Sequence, residues 1–417
     1  MKKYIFKQKN KKEDKAYYIF LLAFYFFVFR DPLEDILPFV KYGDELYALL
    51  AVPLFILQLK KNKFHLKLDK KGYARYIVLF LLIGITSSIV YNYQNWTDAL
   101  SDVFLCIKFW LAIYVGKILF HNLNIKKYSN RIYRHVKLIT VFYLILMVIG
   151  LKYDDFTSGI RYGLPSFKLI YGHPTSLAAC CVFLIMILLA IWGNIKKGIL
   201  WLIPLLFILC STLRSKAFAE ALVVALICYF VFYRKKKIKI RTLFLFIPLV
   251  LLLAWNQIEY YYLGSLSDET ARAQMTRVSF LIARDHFPFG SGFATFASYY
   301  SYANYYSPLY YMYGINDIYG IGNGGYNFIS DVFWPMILGQ TGYIGLIMYI
   351  LAVLFLFLKI QKLYRFNKYY YAAALSGLSY LLIASFAESS FVHPNMISVA
   401  TIIGMLLGKQ ERSLKVE

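Results

Sequence analysis

Five basic residues in three short polar stretches are the first candidates for chemistry. Arg161 stands in Ser158-Gly159-Ile160-Arg161-Tyr162-Gly163, and Arg214 and Lys216 in Ser211-Thr212-Leu213-Arg214-Ser215-Lys216. Arg272 and Arg277 stand in Glu269-Thr270-Ala271-Arg272-Ala273-Gln274-Met275-Thr276-Arg277. A guanidinium is planar, permanently charged and able to grip phosphate oxygens through paired N–H bonds. Arg161, Arg214 and Arg277 are the leading anion ligands, with Arg272, Arg284 and Lys216 behind them. Groups able to accept a proton are fewer: Asp331 and His173 first, then His286, Glu388 and His393. One such group within hydrogen-bond reach of a hydroxyl suffices for general base catalysis. Each residue also has a plainer reading. The arginines could be solvated, or could pair with Asp154, Asp155 or Glu220; Asp331 could be an N-cap, and His173, before Pro174, a helix-start residue. Lys216 and Glu220 are four apart, the spacing of a helical ion pair. Asp102 and Lys108 fall inside an apolar run and receive no role.

The elements that must position these residues follow from composition. Of 417 residues, 60% are apolar or aromatic and only 16% are charged. Soluble domains carry about 25% charged residues, so this chain has too few to cover a surface facing water. A mean hydropathy of +0.54 agrees. A soluble enzyme, a disordered chain and a secreted disulfide scaffold are excluded. The five cysteines, Cys106, Cys180, Cys181, Cys210 and Cys228, sit inside apolar segments with no disulfide or metal-ligand spacing. No HExxH, zinc or ATPase pattern occurs, so neither metal nor cofactor is expected.

A hydrocarbon core of roughly 30 Å needs about 20 apolar residues of helix. About twelve spans are predicted, near 16–30, 44–59, 73–91, 99–120, 136–151, 174–193, 198–212, 215–233, 242–257, 332–358, 371–387 and 394–408. The net charge of +24 lies mostly in runs between them, which indicates a membrane face rather than nucleic acid. One set of alternate loops and both tails hold 33 Lys and Arg, against ten in the other set. The positive-inside bias then puts both termini in the cytoplasm. Met1 to Lys15 is basic and lacks a small-residue cleavage site, so no cleavable signal peptide is expected there.

The expected fold is therefore an all-α polytopic membrane protein with one membrane domain over 1–417. One long extracytoplasmic loop, 258–331, lies between spans nine and ten and forms a lid, with Gly320-Ile321-Gly322-Asn323-Gly324-Gly325 as its hinge. Nine tyrosines fall between Tyr299 and Tyr319. They suit a membrane interface, or flat surfaces for sugars to stack on. Gly290-Ser291-Gly292 follows Pro288 rather than a strand, which argues against a nucleotide loop. Asn95-Trp96-Thr97 is a chance glycosylation match. Guanidinium groups gathered at the outer leaflet would suit a lipid-linked pyrophosphate.

Three stretches together resemble the O-antigen ligase/polymerase superfamily of bacterial membrane proteins. Arg161 through His173-Pro174-Thr175-Ser176-Leu177-Ala178 is similar to that family's arginine, glycine and "NPN-x-LA" entry into a span. Ser211 to Lys216 resembles its "T-x-SR" turn. Arg277 through His286-Phe287-Pro288-Phe289-Gly290-Ser291-Gly292-Phe293, Asp331 and Gly339-Gln340-Thr341-Gly342-Tyr343-Ile344-Gly345-Leu346 is similar to "NPLFGVG" and "HN-x-L…E-x-GIIGL". The resemblance covers the central and C-terminal two thirds of the chain. It implies a metal-independent glycosyltransferase of the bacterial cytoplasmic membrane whose donor is an undecaprenyl-pyrophosphate-linked oligosaccharide. Arg161, Arg214 and Arg277 would hold the pyrophosphate, with Arg272, Lys216 and His286 as secondary contacts. The family's ligase histidine position is Asp331 here, and this turns the expectation toward a capsule, exopolysaccharide or O-antigen repeat-unit polymerase. His286 stands where the family has asparagine, and Gln340 where glutamate is common. Membrane lipids, a chain-length regulator and a flippase are the further expected partners. A ligase, and a polysaccharide flippase or transporter, are the alternatives.

Overall fold

The apolar runs fold as helices in the computed structural model, which describes residues 2–61, 72–239, 259, 270–322 and 328–413. In chain order these are α1 (Lys2–Ile36), α2 (Gly43–Leu49), α3 (Ala51–Lys61), α4 (Ala74–Tyr91), α5 (Trp96–Leu119) and α6 (Ile125–Gly150). A hairpin of β1 (Thr157–Arg161) and β2 (Leu164–Phe167) follows, then α7 (Pro174–Ile191), α8 (Leu202–Ser211) and α9 (Ser215–Cys228). The chain continues through α10 (Ala271–Asp285), α11 (Pro308–Met312), α12 (Phe333–Phe366), α13 (Lys368–Ala384) and α14 (Met396–Ser413). This is an all-α polytopic membrane protein. Within the described residues the predicted spans fall largely on helix, but that at 44–59 is divided at Leu50 between the short α2 and α3, and the predicted span at 242–257 lies outside the described residues. Seven helices among the described residues are long and apolar enough to cross a bilayer unaided: α1 from Lys11, α4, α5, α6, α7, α9 with the turn after it, and α12.

Apolarity all round a helix calls for burial on every side. Every residue of α7 from Pro174 to Ile191 is buried, and α6, α8, α13 and α14 pack around it. Beside it, α5 and α14 approach backbone to backbone. A Cβ on Gly404 would lie 2.0 Å from the Ile113 carbonyl oxygen, so only glycine allows this spacing.

Helix α12 breaks its own regularity at Gly342, where φ is 62° and ψ −169°. The break leaves carbonyls of the preceding turn to be satisfied from outside the helix. The segment after α10 supplies the donors: Ser291 N–H reaches the Gly339 oxygen at 3.0 Å and Gly292 N–H the Gln340 oxygen at 2.8 Å. Phe293 N–H donates to Ser88 Oγ at 2.8 Å, and Ala294 N–H to Asp102 Oδ2 at 2.7 Å. The two glycine-bearing motifs thus lock to one another, and Asp102 serves that lock.

A charged group is buried where α1, α2 and α5 meet. Lys108 Nζ lies 2.7 Å from Asp44 Oδ2, and Arg30 Nη2 lies 3.3 Å from Asp44 Oδ1. Removing one partner of such a group strands the other charge in a poor solvent. Lys108→Met is expected to cost about 3–5 kcal/mol of stability, read as a lower melting temperature in detergent. Unchanged melting would show that Arg30 alone compensates Asp44.

The basic end of the bundle is also assembled from distant segments. Lys117 pairs with Glu411 at 2.6 Å and Lys127 with Asp14 at 2.9 Å. Lys409 donates to the Phe120 and His121 carbonyls at 2.9 Å, and Tyr364 Oη to that of Lys235 at 2.7 Å. The hairpin, the α8–α9 turn, the start of α12 and the α13–α14 connection lie at the other ends of these helices.

Candidate functional site

Arg161 closes β1, and its register opposite Leu164 leaves a tight turn at Tyr162-Gly163, both with positive φ. The hairpin is tied to the next basic stretch, because Ser166 Oγ donates to the Thr212 carbonyl at 2.8 Å. In that stretch Arg214 is the N-cap residue of α9, and Ser215 and Lys216 open the helix. Arg272 lies in the first turn of α10, whose N-cap Thr270 accepts from Ala273 N–H. Asp331 ends the short turn Ile329–Asp331 before α12. Ser389 Oγ fixes that turn to the α13–α14 connection through the Ser330 carbonyl at 2.6 Å.

These elements enclose a cavity of about 880 Å³. Arg161, His173, Arg214, Lys216, Arg272 and Asp331, all singled out from the sequence, line it. Glu388 and His393 join them from the α13–α14 connection. The cavity carries seven lysine and arginine side chains against four carboxylates. It also receives the first turns of α7, α9, α10 and α12, through Thr175, Ser215, Arg272 and Met336. Helix N-termini present unpaired N–H groups and the positive end of the dipole, so the backbone adds to an already cationic field.

His173 is the N-cap of α7, with Nδ1 accepting from Thr175 N–H at 3.2 Å. Its Nε2 is 3.1 Å from Arg214 Nη2. A neutral imidazole has a single acceptor nitrogen, and two donors address it here. The corner is therefore rich in donors and suited to an anion. Burial, with the Arg214 and Lys216 charges beside it, pushes the His173 imidazole down to about 4. His173 is neutral at pH 7 and a weak base, which favours hydrogen bonding and positioning over proton acceptance.

Asp331 accepts from Arg272 Nη2 at 3.1 Å. It does not cap α12, where Val332 holds the N-cap position without a side-chain bond. Lys216 forms an ion pair with Glu388. The predicted Lys216–Glu220 pair is thereby corrected: Glu220 is fully buried and accepts from Ser376 Oγ at 3.1 Å and Ser379 Oγ at 3.0 Å. The α9–α13 contact had no signature in local spacing.

Three candidates stand elsewhere. Arg277 is on the exposed side of α10, outside the cavity lining. Five residues at 3.6 per turn put it about 140° around the helix from Arg272. His286 is buried: Nδ1 contacts the Ile282 carbonyl at 3.0 Å, and Nε2 the Tyr93 hydroxyl at 3.1 Å. Both ring nitrogens are engaged, so this histidine pins the end of α10. Arg284 points to solvent beside Asp285. Among the tyrosines, Tyr299 and Tyr300 line the cavity. Tyr310 is fully buried, and its hydroxyl accepts from Ala297 N–H at 3.0 Å. No group of three or more potential metal ligands occurs among the described residues.

The sequence reading gave no role to Arg30, Glu34, Lys41 and Glu45, which complete the cavity wall from α1, α2 and the turn between them. Their only local signal is a set of charges flanking the first two apolar runs. No protein-family model matches the chain, and no curated protein matches it either.

Proposed function

We propose that this chain is a polysaccharide repeat-unit polymerase of a bacterial cytoplasmic membrane, with both termini in the cytoplasm and the cavity at the outer face. It would transfer a growing glycan from its undecaprenyl-pyrophosphate carrier onto the non-reducing end of another lipid-linked unit. The observation that carries this reading is the convergence of Arg161, Arg214 and Arg272 with several helix N-termini on one cavity. That cavity lies at the end of the bundle away from the lysine-rich segments, as the positive-inside bias requires of an outer site. The order of the motifs and their resemblance to the ligase/polymerase superfamily support the same reading.

In the reaction the acceptor hydroxyl forms a new bond to C1 of the donor sugar. The C1–oxygen bond to pyrophosphate breaks, and its electron pair leaves with the carrier. Fixed cations placed where that charge develops stabilise the transition state without reorganising. Asp331 keeps Arg272 in place. A chain-length regulator and a flippase are the partners this place in assembly would require.

The test uses lipid-linked glycan from a strain deleted for the gene. Single repeat units should accumulate on the carrier, and purified protein in liposomes should convert them into a ladder of longer lipid-linked glycans. Long carrier-linked polymer in the deletion strain would replace this reading with a ligase. Repeat units trapped on the cytoplasmic face would replace it with a transporter.

A further inference from the structure

The cavity has a second, chemically different corner. Tyr42, Glu45, Tyr299 and Tyr300 line it, and they come from α2, the turn before it and the segment that follows α10. Pyranose rings bind to surfaces of this kind, where aromatic faces meet carboxylates that accept from hydroxyls. The four cavity carboxylates differ in how tightly a cation holds them. Glu388 is in direct contact with Lys216, Asp331 lies 3.1 Å from Arg272, and Glu34 lies 3.5 Å from Arg30. Glu45 lies 3.8 Å from Lys108, the longest of these distances. Lys108 instead sits against Asp44 at 2.7 Å, and Arg30 adds a second cation to Asp44 at 3.3 Å.

Burial divides the neighbouring acids further. The Asp44 side chain is 1% exposed and that of Glu45 is 31% exposed. Asp44 is thus sealed into the charged group, and Glu45 is the one that reaches the cavity. Glu45 Oε2 is buried and receives no hydrogen bond from an N–H or hydroxyl group, with the Asp44 carboxylate beside it. Tyr300 is near enough to feel the Glu45 charge. A carboxylate loosely held by cations gives up less when it takes a proton than one in a tight pair.

We propose that this corner receives the acceptor sugar and that Glu45 takes the proton from its attacking hydroxyl. The inference rests on the polymerase reading above. The proton moves from the hydroxyl oxygen to the Glu45 carboxylate as the glycosidic bond forms, and the electron pair of the broken bond leaves on the pyrophosphate. No other reactant is needed.

The test compares Glu45→Gln with wild type in the liposome assay and measures the affinity of each for undecaprenyl pyrophosphate. Glu45→Gln should lower turnover by about 10²–10⁴-fold and leave that affinity unchanged. Glu45→Ala should regain turnover when formate is added, because a small carboxylate can occupy the space left. Turnover of Glu45→Gln at the wild-type rate would overturn the proposal. So would loss of carrier affinity together with turnover and no rescue by formate, which would mark Glu45 as structural. Wild-type protein that makes no polymer would instead overturn the polymerase reading itself, and this proposal with it.

Discussion

Alanine at Gly342 should leave little correctly folded protein. The residue holds φ 62° and ψ −169°, a region of backbone space that only glycine enters without strain of about 1–3 kcal/mol. A Cβ there would also lie 2.5 Å from the Pro288 oxygen and 2.6 Å from the Gly290 nitrogen. Both are backbone atoms, and the segment that carries them is tied down by four further hydrogen bonds from Ser291 to Ala294. The clash cannot be relieved by turning a side chain. Size-exclusion profiles in detergent should show aggregation, and any monomer recovered should melt well below wild type. Gly290→Ala, with φ +77° and a Cβ 2.4 Å from the Gly342 nitrogen, should behave alike. Gly159, which has positive φ but open space around it, is the control and should show the smaller backbone penalty alone. Wild-type melting of Gly342→Ala would mean that α12 can straighten at no cost, and the lock would have no structural importance.

The second large effect separates two arginines on one helix. Arg272→Ala should weaken binding of undecaprenyl pyrophosphate by roughly ten- to a hundredfold, because a hydrogen bond to a charged group contributes about 1.5–3 kcal/mol. Arg277→Ala should bind as wild type does. The two side chains differ in placement. Arg272 lines the cavity and is held by Asp331; Arg277 is exposed on another side of α10. Electrostatic attraction at a distance does not rescue Arg277, since exposed charges are screened within about 8–10 Å at ordinary salt. Titration of the purified variants with undecaprenyl pyrophosphate gives the answer. Equal loss in both variants would show that net charge, rather than placement, determines affinity. Loss in Arg277→Ala alone would move the anion site out of the cavity.

That pair also shows where sequence reasoning reached its limit. The helices were legible because an uninterrupted apolar run has one low-energy outcome in a bilayer. Arg161 and Arg214 were legible because arginine in a polar turn on the lysine-poor side contradicts the prevailing charge bias. The choice between Arg272 and Arg277 depended on the rotational phase of α10, which is fixed by its packing against α12 and not by its own pattern. Lys216 had a partner at helical spacing, yet it chose Glu388, which is far along the chain. Glu45 was invisible for a related reason. An acid near the head of an apolar run is the usual residue at a helix start, and only tertiary structure reveals that its neighbour Asp44 takes the nearby cations. The Gly290 and Gly339–Gly342 motifs carried a true long-range signal, but it encodes a backbone lock rather than a catalytic group.

The sheathing of α7 bears on how the protein is made. During synthesis this helix emerges after α6 but before α8, α13 and α14, and its apolar surface lets it rest in lipid for that interval. Helices α13 and α14, which pack against it, are translated well after it. Their connection also brings Glu388 and His393 to the cavity wall. The cavity wall is therefore completed only when these two helices displace lipid from around α7. A chain stalled before Lys368 would sit in the membrane with its earlier helices inserted and the cavity wall still lacking Glu388 and His393.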